Sequence, residues 1–158
     1  MQTRIPQAVL DTDYGQEAER ILRACVHCGF CNATCPTYQL LGDELDGPRG
    51  RIYQIKRVLE GEPASARTRL HLDRCLTCRA CETTCPSGVQ YGRLVDIGRA
   101  LAERQAPRRW SERAMRAALR TVLTHPRVFG ALLRTGQWLR PVLPTPLRTK
   151  VPPAHRSM

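Results

Sequence analysis

Aromatic residues are scarce in this chain: two Trp, four Tyr and two Phe make up 5% of its 158 residues. Aromatics usually supply much of a core's buried area, so cross-links must make up part of the difference. No stretch offers 18 uncharged apolar residues, which excludes a membrane-spanning helix. Met1 to Gln16 has no apolar run of the kind a secretion signal needs. Nothing therefore points to the oxidising compartment that disulfides require. Convincing strand alternation is absent. So are a nucleophile–base pair, a glycine-rich nucleotide loop and paired carboxylates, which leaves no residues to bet on for substrate chemistry. Acidic residues are missing from one end. Residues 1–98 hold 12 Lys/Arg and 12 Asp/Glu, whereas residues 99–158 hold 13 basic residues against Glu103 and Glu112. The whole net charge of +11 thus lies in the last 60 residues. A basic segment suits an acidic protein partner or anionic lipid, or it is simply a solvated face. Nucleic acid is not expected, because no helix-turn-helix, zinc finger or RNA-binding aromatic motif accompanies the arginines.

What the chain does have is cysteine in a fixed pattern. All eight cysteines fall in two identical runs, Cys25-x2-Cys28-x2-Cys31-x3-Cys35-Pro36 and Cys75-x2-Cys78-x2-Cys81-x3-Cys85-Pro86. This is the ligand spacing of two-cluster ferredoxins, in which the fourth cysteine of each run serves the other cluster. The expectation is two [4Fe–4S] clusters. Cluster I takes Cys25, Cys28, Cys31 and Cys85; cluster II takes Cys75, Cys78, Cys81 and Cys35. Structural zinc fits less well, since it favours two separated Cys-x2-Cys pairs. Thiolate–metal bonds between distant segments would replace part of the thin core, so the metal-free chain is expected to fold poorly.

Around the runs the periodicity is helical. Asp13 is the expected cap of a first helix lined by Ala18, Ile21, Leu22 and Cys25. Pro36 suits a first helical position and Gly42 an end; Pro48 opens a helix that Gly61 stops. Leu94, Ile97 and Leu101 share a face up to Pro107. The fold class is all-α: an α-helical ferredoxin-like domain over residues 1–107, then a basic amphipathic extension over 108–140. In the extension Met115, Leu119, Val122 and Leu123 oppose Arg113, Arg116 and Arg120, and Pro126 begins a second helix. Residues 141–158, with five prolines, read as a linker or disordered end.

The stretches Arg23–Tyr38, Gly42–Tyr53 and Asp73–Gly88 together resemble the iron–sulfur subunit of bacterial glycolate oxidase (glycolate dehydrogenase). The Cys runs are shared by many ferredoxin-like subunits; the Gly42–Tyr53 loop makes the likeness specific. The resemblance implies an electron carrier without a catalytic site of its own. Flavin-binding glycolate oxidase subunits, carrying FAD, would oxidise glycolate to glyoxylate, and the clusters would pass electrons toward a membrane acceptor such as quinone. Reduced thiolate ligands, no secretion signal and no spanning stretch together lead to the expectation of a cytoplasmic protein, with the basic 108–140 segment as a peripheral contact on the inner membrane. Family members continue into a domain with Cys-Cys-Gly-type segments, whereas this chain has no Cys after Cys85. The alternatives are an iron–sulfur subunit of a related flavoenzyme (lactate or anaerobic glycerol-3-phosphate dehydrogenase, or heterodisulfide-reductase-like), a standalone ferredoxin-like carrier, or a cluster-stabilised scaffold.

Smaller features carry bland expectations. His27 is read as lying outside the ligand set, because cubanes take cysteine. His71, His125 and His155 are read as structural or exposed. Val26, Phe30 and Leu76 are expected to wall the clusters from water. Arg49 and Arg51 are expected in structural ion pairs. Gly92 and Gly98 are isolated and carry no assignment.

Overall fold

A computed structural model of the chain describes residues 1–153; His155 and the last positions of the 141–158 stretch lie outside the described residues. The chain divides into two compact units, the first Met1–Pro107 and the second from Arg108 onward. Among the described residues every regular element is helical.

The first unit is built twice over. Its elements are α1 (Gln7–Leu10), α2 (Asp13–Ala24), α3 (Phe30–Ala33), α4 (Pro36–Leu41), a 3-10 turn (Glu44–Asp46), α5 (Pro48–Leu59), α6 (Ala66–Asp73), α7 (Ala80–Thr83) and α8 (Tyr91–Gln105). Helices α2 and α6 each lead into a cysteine run. The one-turn helices α3 and α7 each close a run, and α5 and α8 are the long helices that follow. Local chemistry sets the ends. Thr12, not Asp13, is the N-cap of α2: its hydroxyl accepts from Gly15 N, and Asp13 instead becomes the first-turn acid that favours the helix dipole. Pro36 and Pro48 stand at first helical positions. Gly42, at φ 64°, closes α4 in the left-handed region. A Ser65–Thr68 reciprocal cap starts α6, a signal the sequence reading passed over.

The core lies between α2, α5 and α8. Ala18, Ile21 and Leu22 meet Ile52, Ile55 and Leu59, and Leu72, Leu94, Val95 and Ala102 complete it. Two glycines let backbones approach. A Cβ on Gly98 of α8 would sit 2.5 Å from Ile55 Cγ1, and one on Gly50 of α5 would sit 2.1 Å from the Glu44 carbonyl oxygen. Gly98 therefore has a packing role that its isolation in the sequence conceals.

The second unit holds α9 (Trp110–Thr124), α10 (Pro126–Leu139) and α11 (Thr145–Arg148). Helices α9 and α10 pack on each other, yet neither contains a buried residue. Trp110 is 77% exposed and Trp138 79%; Met115, Leu119, Leu123 and Leu132 are also exposed. No helix of the described residues is long and apolar enough to cross a membrane.

Gly50→Ala tests the close approach. Its new methyl meets backbone that cannot swing aside, so a cost of about 1–3 kcal/mol is expected, outweighing the ~1 kcal/mol helix-propensity gain. A denaturant midpoint of the cluster-loaded protein at or above the parent's would remove the contact as a constraint.

Candidate metal centre

Each cysteine run has to curl back on itself, and the backbone shows how. The residues on both sides of the middle cysteine are left-handed: His27 (φ 60°) and Gly29 (φ 90°) around Cys28, Thr77 (φ 57°) and Arg79 (φ 58°) around Cys78. Three of these four are not glycine, and Thr77 is β-branched, so the conformation costs energy that the surroundings must supply. The two runs then meet through equivalent residues 50 positions apart. Thr84 Oγ1 donates to Thr34 Oγ1 at 3.3 Å, and Thr34 also reaches the Ala80 carbonyl at 3.4 Å. The long helices are tied in alike. Asn32 Oδ1 accepts from Arg49 N at 3.3 Å, and Glu82 Oε1 accepts from Gly92 N at 2.6 Å. Gly92, in the first turn of α8, thus has its N–H satisfied by Glu82.

These ties leave two hollows. Cys25, Cys28, Cys31, Cys81 and Cys85 line the first; Cys35, Cys75, Cys78 and Cys81 line the second. Cys85 stands with the thiols of the first run, and Cys35 with those of the second. Pro48 and Tyr91, which begin α5 and α8, border both hollows. The positive ends of two long helix dipoles therefore flank the sulfur atoms. All eight cysteines are free of disulfides. Burial first, then the neighbouring Cys25, Cys28 and Cys85, pushes the Cys31 thiol up to about 11. Burial first, then Cys31, Cys75 and Cys35, pushes Cys81 up to about 12. Cys25 is raised too, chiefly by burial. Such a set stays protonated at neutral pH unless metal displaces the protons. The donor set, five cysteines along the first hollow and four along the second with Cys81 common to both and no disulfide, fits two thiolate-ligated [4Fe–4S] clusters.

The second hollow is backed by a buried polar network. Asp46 and Arg51 are both fully buried. Arg51 Nη2 lies 3.4 Å from Asp46 Oδ1, Arg74 Nη1 donates to Asp46 Oδ2 at 2.8 Å, and His71 Nδ1 is 3.0 Å from Asp46 Oδ1. Arg51 Nε also donates to the His71 carbonyl at 2.7 Å. Burial alone would raise the Asp46 pKa, but hydrogen bonds from His71 and Arg74 hold it below the usual carboxylate value. Asp43, Asp46 and His71 lie close enough together to suggest a further metal site. Two guanidiniums already neutralise Asp46, so a cation there would meet like charge. The network reaches the thiols: Arg51 Nη1 lies 3.9 Å from Cys35 Sγ and donates to Thr37 Oγ1 at 3.1 Å, and Tyr91 OH donates to Cys75 Sγ at 3.6 Å. Burial, then Cys75, lifts the Tyr91 phenol well above its ordinary value, so it remains a donor.

The first hollow is barer. Backbone groups serve its thiols: Val89 N donates to Cys85 Sγ at 3.5 Å, and His27 N–H donates to Cys25. Arg49 lines it but is held by Glu44 at 2.7 Å in a half-exposed pair. His27 Nδ1 is buried without a partner, and burial, then Arg49, lowers the imidazole pKa. The walling residues come out differently from the expectation. Val26 and Leu76 line the mouths of the first and second hollows but are 67% and 65% exposed, and Phe30 lines neither. They follow the outward-facing turns of the runs, while Pro48, Ile52 and Tyr91 cover the inner side. His125 is exposed and His71 buried. Tyr91, Thr37 and Asp46 were missed by the sequence reading; a polar residue directly after Cys-Pro was the available signal only for Thr37.

Residues 21–89 match the 4Fe-4S dicluster domain family. The chain is 59% identical over 96% of its length to the glycolate oxidase iron-sulfur subunit of Escherichia coli (strain K12), covering 37% of that protein. It is 40% identical over 78% of its length to a probable glycolate oxidase iron-sulfur subunit of Bacillus subtilis (strain 168), covering 29% of that one. A succinate dehydrogenase iron-sulfur subunit of Paracoccus denitrificans is 28% identical over 47% of the chain and is covered to 31%. The chain thus spans about a third of the length of the curated relatives it matches. No solved structure matches it.

Asp46→Asn should cost about 3–5 kcal/mol, because it strands a buried guanidinium. Glu62→Gln, which breaks the half-exposed pair with Arg57, should change stability by about 0–1 kcal/mol. Equal midpoints for the two variants in denaturant would contradict the network's weight. The Asp46 pKa is lower in the fold than its ordinary 3.8, so its contribution is present above that pH and lost as pH falls through the native value.

Proposed function

With residues 21–89 a 4Fe-4S dicluster domain, we propose that this chain is the electron-relay part of a glycolate oxidase iron–sulfur subunit. The observation that carries the reading is the gathering of all eight cysteines around two hollows that share Cys81, beside the similarity to the two glycolate oxidase subunits. Cluster I would be held by Cys25, Cys28, Cys31 and Cys85, and cluster II by Cys75, Cys78, Cys81 and Cys35. The clusters supply one-electron transfer. The protein's own part is to hold thiolates in place, to bring two helix N-termini beside them and to keep a buried arginine next to one of them. Cys81 lines both hollows, so the route between the two sites is short. Flavin-binding partner subunits would oxidise glycolate to glyoxylate and feed this pair, which would pass electrons toward a membrane acceptor.

Helices α9 and α10 form the docking element of this reading. Two apolar stripes without a buried residue need cover in water, and the arginines between them favour an anionic surface. The basic 108–140 segment would join the flavin subunits and lie peripherally on the inner membrane.

Three outcomes are expected. Protein prepared without oxygen should hold about eight irons and eight sulfides per chain; stoichiometric zinc without acid-labile sulfide ends the proposal. Cys35→Ser should damage the cluster of the second run and Cys28→Ser the other, as read by spectroscopy of the reduced clusters; loss of the same cluster in both refutes the ligand sets. Arg113, Arg116 and Arg120 changed together to Glu should weaken co-purification with the flavin subunits and flotation with anionic vesicles, more at low than at high salt. Association unchanged across ionic strength would leave the basic face merely solvated.

A further inference from the structure

The two halves repeat each other in backbone but not in what surrounds the sulfur, and the difference has a sign. Equivalent contacts cancel first. The Cys25 carbonyl accepts from the Met1 amine at 2.6 Å, and the Cys75 carbonyl accepts from Arg99 Nη2 at 2.5 Å. What remains is uneven. At the second hollow a fully buried guanidinium lies 3.9 Å from Cys35 Sγ, and the Tyr91 hydroxyl donates to Cys75 Sγ. Thr37 Oγ1, 3.2 Å from Cys35 Sγ, holds the Arg51 Nη1 that faces the sulfur. Around them two guanidiniums, Arg51 and Arg74, face the single carboxylate of Asp46. At the first hollow the thiols receive backbone N–H groups, Val89 to Cys85 and His27 to Cys25, and Arg49 is neutralised by Glu44 where water screens both.

A cluster gains one negative charge on reduction. Positive charge and donors beside its sulfur atoms stabilise the reduced form more than the oxidised one, and the effect is larger where water is excluded. We propose that Arg51, Thr37 and Tyr91 are positioning residues that raise the potential of the cluster held by Cys35, Cys75, Cys78 and Cys81 above that of its neighbour. An electron entering the pair then comes to rest on this cluster, which makes the second run the exit side. The inference rests on the ligand sets proposed above, but its failure is separately visible.

The test is an EPR-monitored redox titration of the cluster-loaded full chain, with each signal assigned beforehand by Cys28→Ser and Cys35→Ser. The higher of two reduction steps should belong to the signal that Cys35→Ser removes. Tyr91→Phe keeps the buried ring and deletes only the hydroxyl. It should lower that step alone by about tenfold in the reduced-to-oxidised ratio, ~59 mV for one electron. Thr37→Val should shift the same step in the same direction. Arg51→Gln is expected to disturb the fold through Asp46 and is not used. If the higher step belongs to the other signal, the ordering is wrong; if Tyr91→Phe and Thr37→Val move both steps or neither, the role given to these residues is wrong. If Cys28→Ser and Cys35→Ser erase the same signal, the ligand sets fall, and that result is read before any potential is compared.

Discussion

Eight thiols crowd around two hollows, and much of the first unit answers that constraint. Burial and mutual repulsion keep Cys31 and Cys81 protonated far above neutral pH. The left-handed residues His27, Thr77 and Arg79 add backbone strain in the same two loops. Metal relieves both at once: it replaces protons and fixes the loops that would otherwise open. The helical frame does its part from outside. Thr34 and Thr84 join the two runs, Asn32 and Glu82 anchor the starts of α5 and α8, and those helices bring their positive ends to the sulfur atoms.

The buried Arg51–Asp46 pair shows how the loop of residues 42–51 earns its place. It is short on apolar residues, yet Asp46 and Arg51 are sealed from water. A buried ion pair is seldom kept for stability alone, since apolar packing could match it. Here it sets a guanidinium beside a ligand-type sulfur and ties α6, through His71 and Arg74, to the 3-10 turn. Fold and electrostatics of the second hollow are therefore inseparable, whereas the first hollow meets the same loop through Pro48 and the Glu44-paired Arg49, without a buried guanidinium.

The second unit obeys a different logic. Its helices have good amphipathic patterns but no buried residue, so pattern alone does not amount to a core. Two tryptophans more than three-quarters exposed stand there among arginines that outnumber acids.

Much was legible in the sequence because the controlling features are local. Cysteine spacing specifies the cluster type, and the proline after each fourth cysteine sets the start or direction of the next segment. The 3.6-residue period of Ala18, Ile21 and Leu22, or of Leu94 and Leu101, marks helices without reference to anything distant. The charge split at residue 98 needs only counting. What the sequence could not reveal depends on distance in space between residues remote in the chain. That Gly98 admits Ile55 depends on how α5 and α8 pack, and that Asp46 gathers Arg51, His71 and Arg74 depends on how the 3-10 turn meets α5 and α6. Val26, Phe30 and Leu76 mark the same boundary: apolar residues inside a cysteine run look like a wall in one dimension, but the left-handed turns beside them point the chain outward, and only the folded backbone decides which side faces water.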